Sequence, residues 1–359
     1  MSDDAELRVG IIGYGLAGAV FHAPLVASIS GMRVAAISVG DAARSAQARR
    51  DYPHATIYPT AQALLAAAGT LDLVVVAAPN DAHAPLGVAA LEAGLPVVID
   101  KPFAPSVAEG QRVLETAERA GKPLSVFQNR RWDNDFLTLR RLMRGDALGE
   151  LARFESRFER FRPTPKAGAW RESADPALAG GLLFDLGAHL VDQALQLFGW
   201  PESVYAEQAR RRAGVVVDDD TFVALRFAGG QAADLWMSVI PRVSGPRLRG
   251  VGARGVYEKY GLDPQEAQLA SGLRPGDAEY GREPTDLRGT LATELDGLAI
   301  EARVESLPGS YQDFYAGVRD ALRTGAPMPV DPRDALDVIR VIEAAHASAE
   351  RGEVVHPAR

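Results

Sequence analysis

Residues 180–193, GGLLFDLGAHLVDQ, form an apolar run interrupted by Asp185, His189 and Asp192. A helix repeats every 3.6 residues, so these three share one face. Two acids and a histidine on one side of an apolar helix have three uses: a capped and solvated surface, a metal site, or acid/base chemistry. The metal reading is weak, because no second His/Asp/Glu cluster of suitable spacing accompanies the helix. A histidine titrates near neutrality and suits proton transfer.

Other candidates lie in the first third of the chain. Gly13-Tyr14-Gly15-Leu16-Ala17-Gly18 matches G-x-G-x-x-G between a strand and a helical stretch, the context in which such glycines cradle a dinucleotide pyrophosphate. His22 and Pro24 follow; His22 reads as structural, and Pro24 bends or restarts the helix. About twenty residues on, where an acid would hold the ribose of NAD, stands Ser38. Ser38 can accept a 2′-phosphate with help from Arg44, which favours NADP(H), with NAD(H) the alternative; Asp41 either turns to the ribose or caps the next helix. Pro79, Asn80 and His83 follow one strand, and Asp100 and Lys101 end the next. Ligands of such sheets bind beyond the carboxyl ends of the strands, so these residues, with Gln128, are placed for the cofactor cleft.

The positioning elements follow from the pattern. LRVGIIG (7–13), RVAAIS (33–38), LDLVVVAAP (71–79), PVVID (96–100) and PLSVFQ (123–128) are continuous β-rich runs separated by Ala-rich helical stretches. That repetition predicts an α/β fold opening with a doubly wound parallel sheet of the Rossmann type over 1–128. From 129 to 359 the pattern changes. ELARFESRFERFR (150–162) alternates, with Phe154 and Phe158 opposite Arg153, Glu155, Arg157 and Glu159. SVYAEQARRR (203–212), TFVALRFAGG (221–230) and QAADLWMSVI (231–240) follow, the last two joined at Gly229-Gly230. This predicts a second α/β domain with a largely antiparallel sheet and helices on one face. Residues 331–352 predict a helix, with Asp331 as cap, Pro332 in the first turn and Gly352 beyond the end.

Composition limits the function classes. At 359 residues there is chain for two cores. A formal charge of −8 argues against a nucleic-acid partner. The absence of cysteine removes disulfides and thiolate chemistry. No apolar run is long enough for a membrane span, and MSDDAELR lacks the features of a secretory signal; the expectation is a cytoplasmic protein.

The ordered set Gly13–Gly18, Pro79-Asn80, Asp100-Lys101-Pro102 and Asp185-x-x-x-His189 resembles the glucose–fructose oxidoreductase, inositol dehydrogenase and MocA (Gfo/Idh/MocA) family of sugar and polyol dehydrogenases. That family usually has Glu at the position of Asp100. FQNRRWDNDFLTLRRL (127–142) and KYGLDPQEAQL (259–269) resemble its scyllo-inositol dehydrogenase branch, whose members often have His at Gln128. The resemblance implies an NAD(P)-dependent dehydrogenase of a small polyol or sugar, most directly scyllo-inositol and its inosose, with Lys101, Asp185 and His189 as the catalytic trio from the two domains. It also implies that the sheet of the second domain is open and serves substrate binding and oligomerisation. A reductase or dehydrogenase of another sugar or keto-sugar is the alternative. A non-catalytic sensor has no need of all three, and glycoside cleavage with tightly held NAD is a further reading. Asn129, Arg130 and Trp170 are the first substrate-binding candidates, ahead of Arg131, Trp132 and Arg162, and join Asp185 and His189. Asp192 contacts substrate or forms a salt bridge; Tyr260 reaches a site only if its loop folds back. A homodimer or homotetramer is expected, since open sheets are commonly covered by partners.

Overall fold

The computed structural model describes residues 6–166 and 168–359. The chain forms two compact units. The first runs through Asn129 and takes in Gln265–Tyr280 and Ser310–Leu336; the second comprises Arg130–Pro264, Gly281–Gly309 and Asp337–Arg359.

The first unit is built on a parallel sheet of six strands: β1 (Leu7–Ile12), β2 (Met32–Ser38), β3 (Thr56–Tyr58), β4 (Leu73–Val76), β5 (Val97–Ile99) and β6 (Leu124–Val126). Their order is β3-β2-β1-β4-β5-β6, so the winding reverses between β1 and β4, where such sheets take their ligands. β4, β5 and β6 are buried at every residue, which is why Leu73–Val76 reads as an unbroken apolar run. The core is continuous from Val74, Val76 and Ile99 through Phe103 and Val113 to Leu336.

The second unit carries eight strands: β7 (Leu151–Glu159), β8 (Ser203–Ala209), β9 (Asp220–Arg226), β10 (Ala232–Ser238), β11 (Leu248–Gly252), β12 (Val256–Lys259), β13 (Gly289–Leu295) and β14 (Leu298–Val304). The order is β14-β13-β12-β11-β7-β10-β9-β8. Every pairing is antiparallel except β7 with β10. Phe154, Ser156 and Phe158 of β7 face the interior. On its other face Arg157 lies opposite Trp236, with the guanidinium 3.8 Å from the ring centroid. The β9–β10 hairpin turns at Gly230, whose φ is +80°.

The last long helix spans Pro332–Arg351. Asp331 Oδ1 accepts the Arg333 N–H at 2.9 Å, and Gly352 leaves the helix at φ +69°. Among the described residues no helix is long and apolar enough to cross a membrane.

Candidate active site

The three glycines after β1 do different work. Gly13 has φ +97°, and a Cβ there would collide with the Ala77 carbonyl; a Cβ on Gly18 would collide with the Gly13 carbonyl. Both are required by the fold of the loop itself. A Cβ on Gly15 meets only Arg44 Nη1, at 3.8 Å. The protein's own atoms leave room for a Cβ at Gly15, so a use for glycine there is the close approach of a group outside the chain. A pyrophosphate approaching the loop backbone is such a group. Leu16 stands 65% exposed beside it, and a π-helical turn, Ala17–His22, begins at Ala17 and passes into helix Ala23–Ala27, with Pro24 in its first turn.

Ser38 ends β2, nearly buried, and its carbonyl accepts the Gly13 N–H at 3.0 Å. Asp41 caps helix Ala42–Asp51 by accepting the Arg44 N–H at 2.8 Å. The acid after β2 is thus committed to a cap, and Arg44 reaches back toward the glycine loop.

Pro79 immediately precedes helix Asn80–Glu92, and Asn80, its first residue, is buried. His83, expected to line the cleft, is almost wholly buried, with Nδ1 2.7 Å from Pro102 O and Nε2 2.9 Å from Ala78 O. It ties the turn after β4 to the turn after β5. Burial lowers its pKa, against the pull of Asp100 and the two carbonyls. A neutral ring has one N–H, so it donates to one of these carbonyls at a time.

Asp100 Oδ1 accepts the backbone N–H of Lys101 at 2.8 Å. Burial pushes the Asp100 carboxyl up, but His22, His83 and Lys101 outweigh it and hold it below the usual carboxylate value. Lys101 is half-buried, and the Lys101–Pro102 peptide is cis. Gln128 is buried at the end of the sheet, and its Oε1 has no hydrogen-bond partner among the described residues. A buried amide oxygen without a donor is costly and suits a ligand N–H. Gly15 and Gln128 together fit a dinucleotide whose pyrophosphate lies on the loop.

In the second unit, the apolar run is not one uniform α-helix. Leu183–Gly187 is a π-helical turn and Ala188–Phe198 is α-helical; π-bulges often occur at functional sites. Asp218 supports the turn, its Oδ2 accepting the Leu183 N–H at 2.9 Å and the Thr221 hydroxyl at 2.8 Å. The three polar residues divide. Asp185 is partly buried, its Oδ2 3.4 Å from Arg171 Nε. His189 is 4% exposed. Asp192 turns inward to Arg131, accepting from Nε at 2.8 Å and from Nη2 at 2.6 Å.

Arg130, expected at the substrate, is placed in the interior. It pairs with Asp133 at 3.2 Å, its guanidinium lies 4.7 Å from the Phe158 ring centroid, and its carbonyl accepts from Gln193. Asn129 is likewise buried. Trp170 opens a short turn, Trp170–Glu172, with the Arg171 guanidinium 5.5 Å from its ring centroid. Tyr260 is half exposed, and its carbonyl accepts from the buried Lys259.

Sequence reasoning missed Arg160, Arg171 and Arg212. With Arg162, Glu172 and Asp185 they line a recess. Arg212 is bound to Glu172 and Asp219 at 3.0 and 2.9 Å. The signal was a basic residue beside Trp170 and the run at 210–212, but arginines are so often surface ion pairs that spacing alone does not select them.

The comparisons agree with this architecture. Residues 7–128 match the model of an oxidoreductase family's NAD-binding Rossmann fold, and 140–356 match its C-terminal alpha/beta domain. The oxidoreductase YdgJ of Escherichia coli is 40% identical over 98% of both chains. The scyllo-inositol 2-dehydrogenase (NADP(+)) IolW of Bacillus subtilis is 33% identical over 97% of this chain and 95% of its own. The solved structure of the oxidoreductase yvaA from Bacillus subtilis superposes with a TM-score of 0.93 at 32% identity, covering 99% of each chain. The two matched ranges cover the parallel sheet with its glycine loop and the mostly antiparallel second sheet, and the chain belongs to the Gfo/Idh/MocA family of NAD(P)-type oxidoreductases.

Proposed function

We propose that the protein is an NADP-dependent dehydrogenase of a cyclic polyol, with scyllo-inositol and its inosose as the first candidate pair. The full-length likeness to IolW carries this reading. The coenzyme preference draws support from Ser38 in place of an acid, from Asp41 committed to its cap, and from Arg44 beside Gly15.

When bound, the nicotinamide takes or returns the hydride at the reacting carbon. This chain's residues handle the proton and the charge. His189 accepts the hydroxyl proton as the C–H bond breaks. Asp185 accepts from a substrate hydroxyl and fixes the ring's orientation. The Lys101 ammonium stabilises the developing alkoxide. Pro79, Asn80, Asp100 and Gln128 belong to the coenzyme side, and Asn129 and Trp170 complete the set assigned to substrate.

A second reading is a sugar or keto-sugar carrying an acidic group. The arginines beside Asp185 favour it, since arginine binds carboxylate and phosphate in bidentate fashion. A homodimer or homotetramer belongs to the proposal too. The open edge strand β14 begins at Leu298, 70% exposed, and its hairpin partner ends at Leu295, 61% exposed. The test is a spectrophotometric assay against scyllo-inositol, myo-inositol, aldoses and uronic acids, each with NADP and with NAD. Reduction of NADP with scyllo-inositol supports the proposal. Activity with a uronic acid alone selects the second reading, and a clear preference for NAD overturns the coenzyme assignment.

A further inference from the structure

His22 is fully buried, and the roles above leave it unused. Its Nδ1 lies 2.6 Å from the hydroxyl of Tyr315, a residue 293 positions away on helix Gln312–Thr324 of the same unit. Its Nε2 lies 3.5 Å from Asp100 Oδ1 and makes no hydrogen bond among the described residues. That same Oδ1 accepts the backbone N–H of Lys101. Phe127 packs on the His22 ring, centroid to centroid 4.6 Å, and Phe314 packs on Phe127.

We propose that Tyr315 and His22 are positioning residues for Lys101, acting through Asp100 as one buried chain of polar groups. The inference rests on the reading of Lys101 as a catalytic residue.

The direction of the chain follows from its chemistry. Burial keeps the Tyr315 phenol protonated, well above its ordinary value, so its O–H donates to Nδ1. A neutral imidazole that accepts at Nδ1 carries its proton at Nε2. That proton faces the Asp100 carboxylate, which in turn accepts from Lys101. Tyr315–His22 and Asp100–Lys101 are hydrogen-bonded, and between them His22 Nε2, without a hydrogen-bond partner among the described residues, stands 3.5 Å from Asp100 Oδ1. The ionisable groups facing His22 are Tyr315 and Asp100 in contact and His83 nearby.

A buried phenol, imidazole and carboxylate are expensive where apolar side chains of equal volume would fill the space. What the chain secures is the amide of Lys101, while His83 holds the carbonyl of the next residue. The peptide before the lysine and the one after Pro102 are thereby held, so the ammonium starts from a Cα anchored on both sides within two residues. Misplacement of a reacting group by about 1 Å can cost around a hundredfold in rate.

The test exploits composition: the chain has only four lysines, Lys101, Lys122, Lys166 and Lys259. The full-length protein, labelled with 13C,15N-lysine and saturated with NADP, is compared with Y315F, H22L and H22Q. K101M assigns the Lys101 signals. Y315F removes one hydroxyl and keeps the ring, so it remains informative if H22L does not fold. Displacement of the Lys101 amide and ammonium signals in Y315F, with the other three lysines unmoved, is the expected result. H22Q, which retains a donor for Asp100, should displace them less than H22L.

Turnover should fall about tenfold in Y315F and further in H22L, with NADP affinity within about twofold of the parent. In the K101M background neither change should reduce turnover further. Unmoved Lys101 signals in folded Y315F overturn the inference. So does a loss of turnover that adds in full to that of K101M, or a loss confined to NADP affinity. The signals need no substrate, so they decide the inference even if the polyol assignment fails.

Discussion

Replacing Asp192 with alanine separates a structural acid from a catalytic one. The Arg131–Asp192 pair makes two charge-assisted bonds, and the side chains are 7% and 3% exposed. At an effective dielectric near 20, two charges at this range attract by about 4 kcal/mol. Desolvation offsets much of that, so the pair adds little net stability. Removing one partner is different, because it leaves the other charge buried at a cost of about 3–5 kcal/mol. In a unit of roughly 190 residues, each kcal/mol moves Tm by about 2–4 °C, so D192A should lower Tm by roughly 6–20 °C. The double variant R131M/D192L removes both charges and should recover most of the loss. The assay is thermal unfolding by circular dichroism, with turnover measured at 25 °C on the folded fraction. A Tm for D192A within 2 °C of the parent, together with a large loss of turnover, would refute the salt-bridge reading and return Asp192 to the substrate.

Three further outcomes follow from the site. G15A should fold with Tm within about 2 °C of the parent, because the free chain leaves space at that Cβ, yet bind NADP several-fold more weakly, as read by quenching of protein fluorescence; normal affinity would overturn the loop assignment. R44A should raise KM for NADP at least tenfold and leave KM for NAD nearly unchanged. Acid should destabilise the protein. His83 and His346 have folded pKa values below 6.5, chiefly through burial, and Asp72 and Asp100 below 3.8, where Arg8 and His22 outweigh burial. A depressed folded pKa contributes stability that is present above the unfolded value and lost as pH falls through the folded one. Tm should therefore decline from pH 7 to 5 and again below pH 4. A Tm that rises on acidification contradicts the assignment.

The first sheet was legible because strands buried on both faces leave continuous runs such as Leu73–Val76, and because the glycine loop has a local signature. β7 was legible from its alternation. The β13–β14 hairpin was missed, although Asp296-Gly297, at φ +50° and +78° between alternating runs, is a strong turn signal. The single parallel pairing of β7 with β10 has no local signature, since pairing is decided by which strands share a core. The same limit hid the partners of site residues. Arg131 meets Asp192 across 61 positions and His22 meets Tyr315 across 293; each residue alone reads as an ordinary surface arginine or a structural histidine. The π-helical turn at Leu183–Gly187 was also hidden, because apolar spacing does not distinguish it from an α-helix over so few residues.

Asp185 and Asp192 are the same residue type seven positions apart, and each lies beside an arginine. The two pairs differ in whether the partner can be exchanged. Arg131 is buried and grips Asp192 with two nitrogens, so a substrate hydroxyl cannot displace it without exposing two desolvated charges. Arg171 is about one-third exposed and stands 3.4 Å from Asp185, a screened contact worth well under 1 kcal/mol. A substrate hydroxyl can take its place at little cost, and the arginine remains in the same recess. R171M should therefore leave Tm within about 2 °C of the parent while raising KM several-fold, because the recess loses a guanidinium that can bind the substrate's polar groups beside Asp185. A Tm loss as large as that of D192A would show that Arg171 is structural. An unchanged KM would show that Asp185 meets its substrate without it.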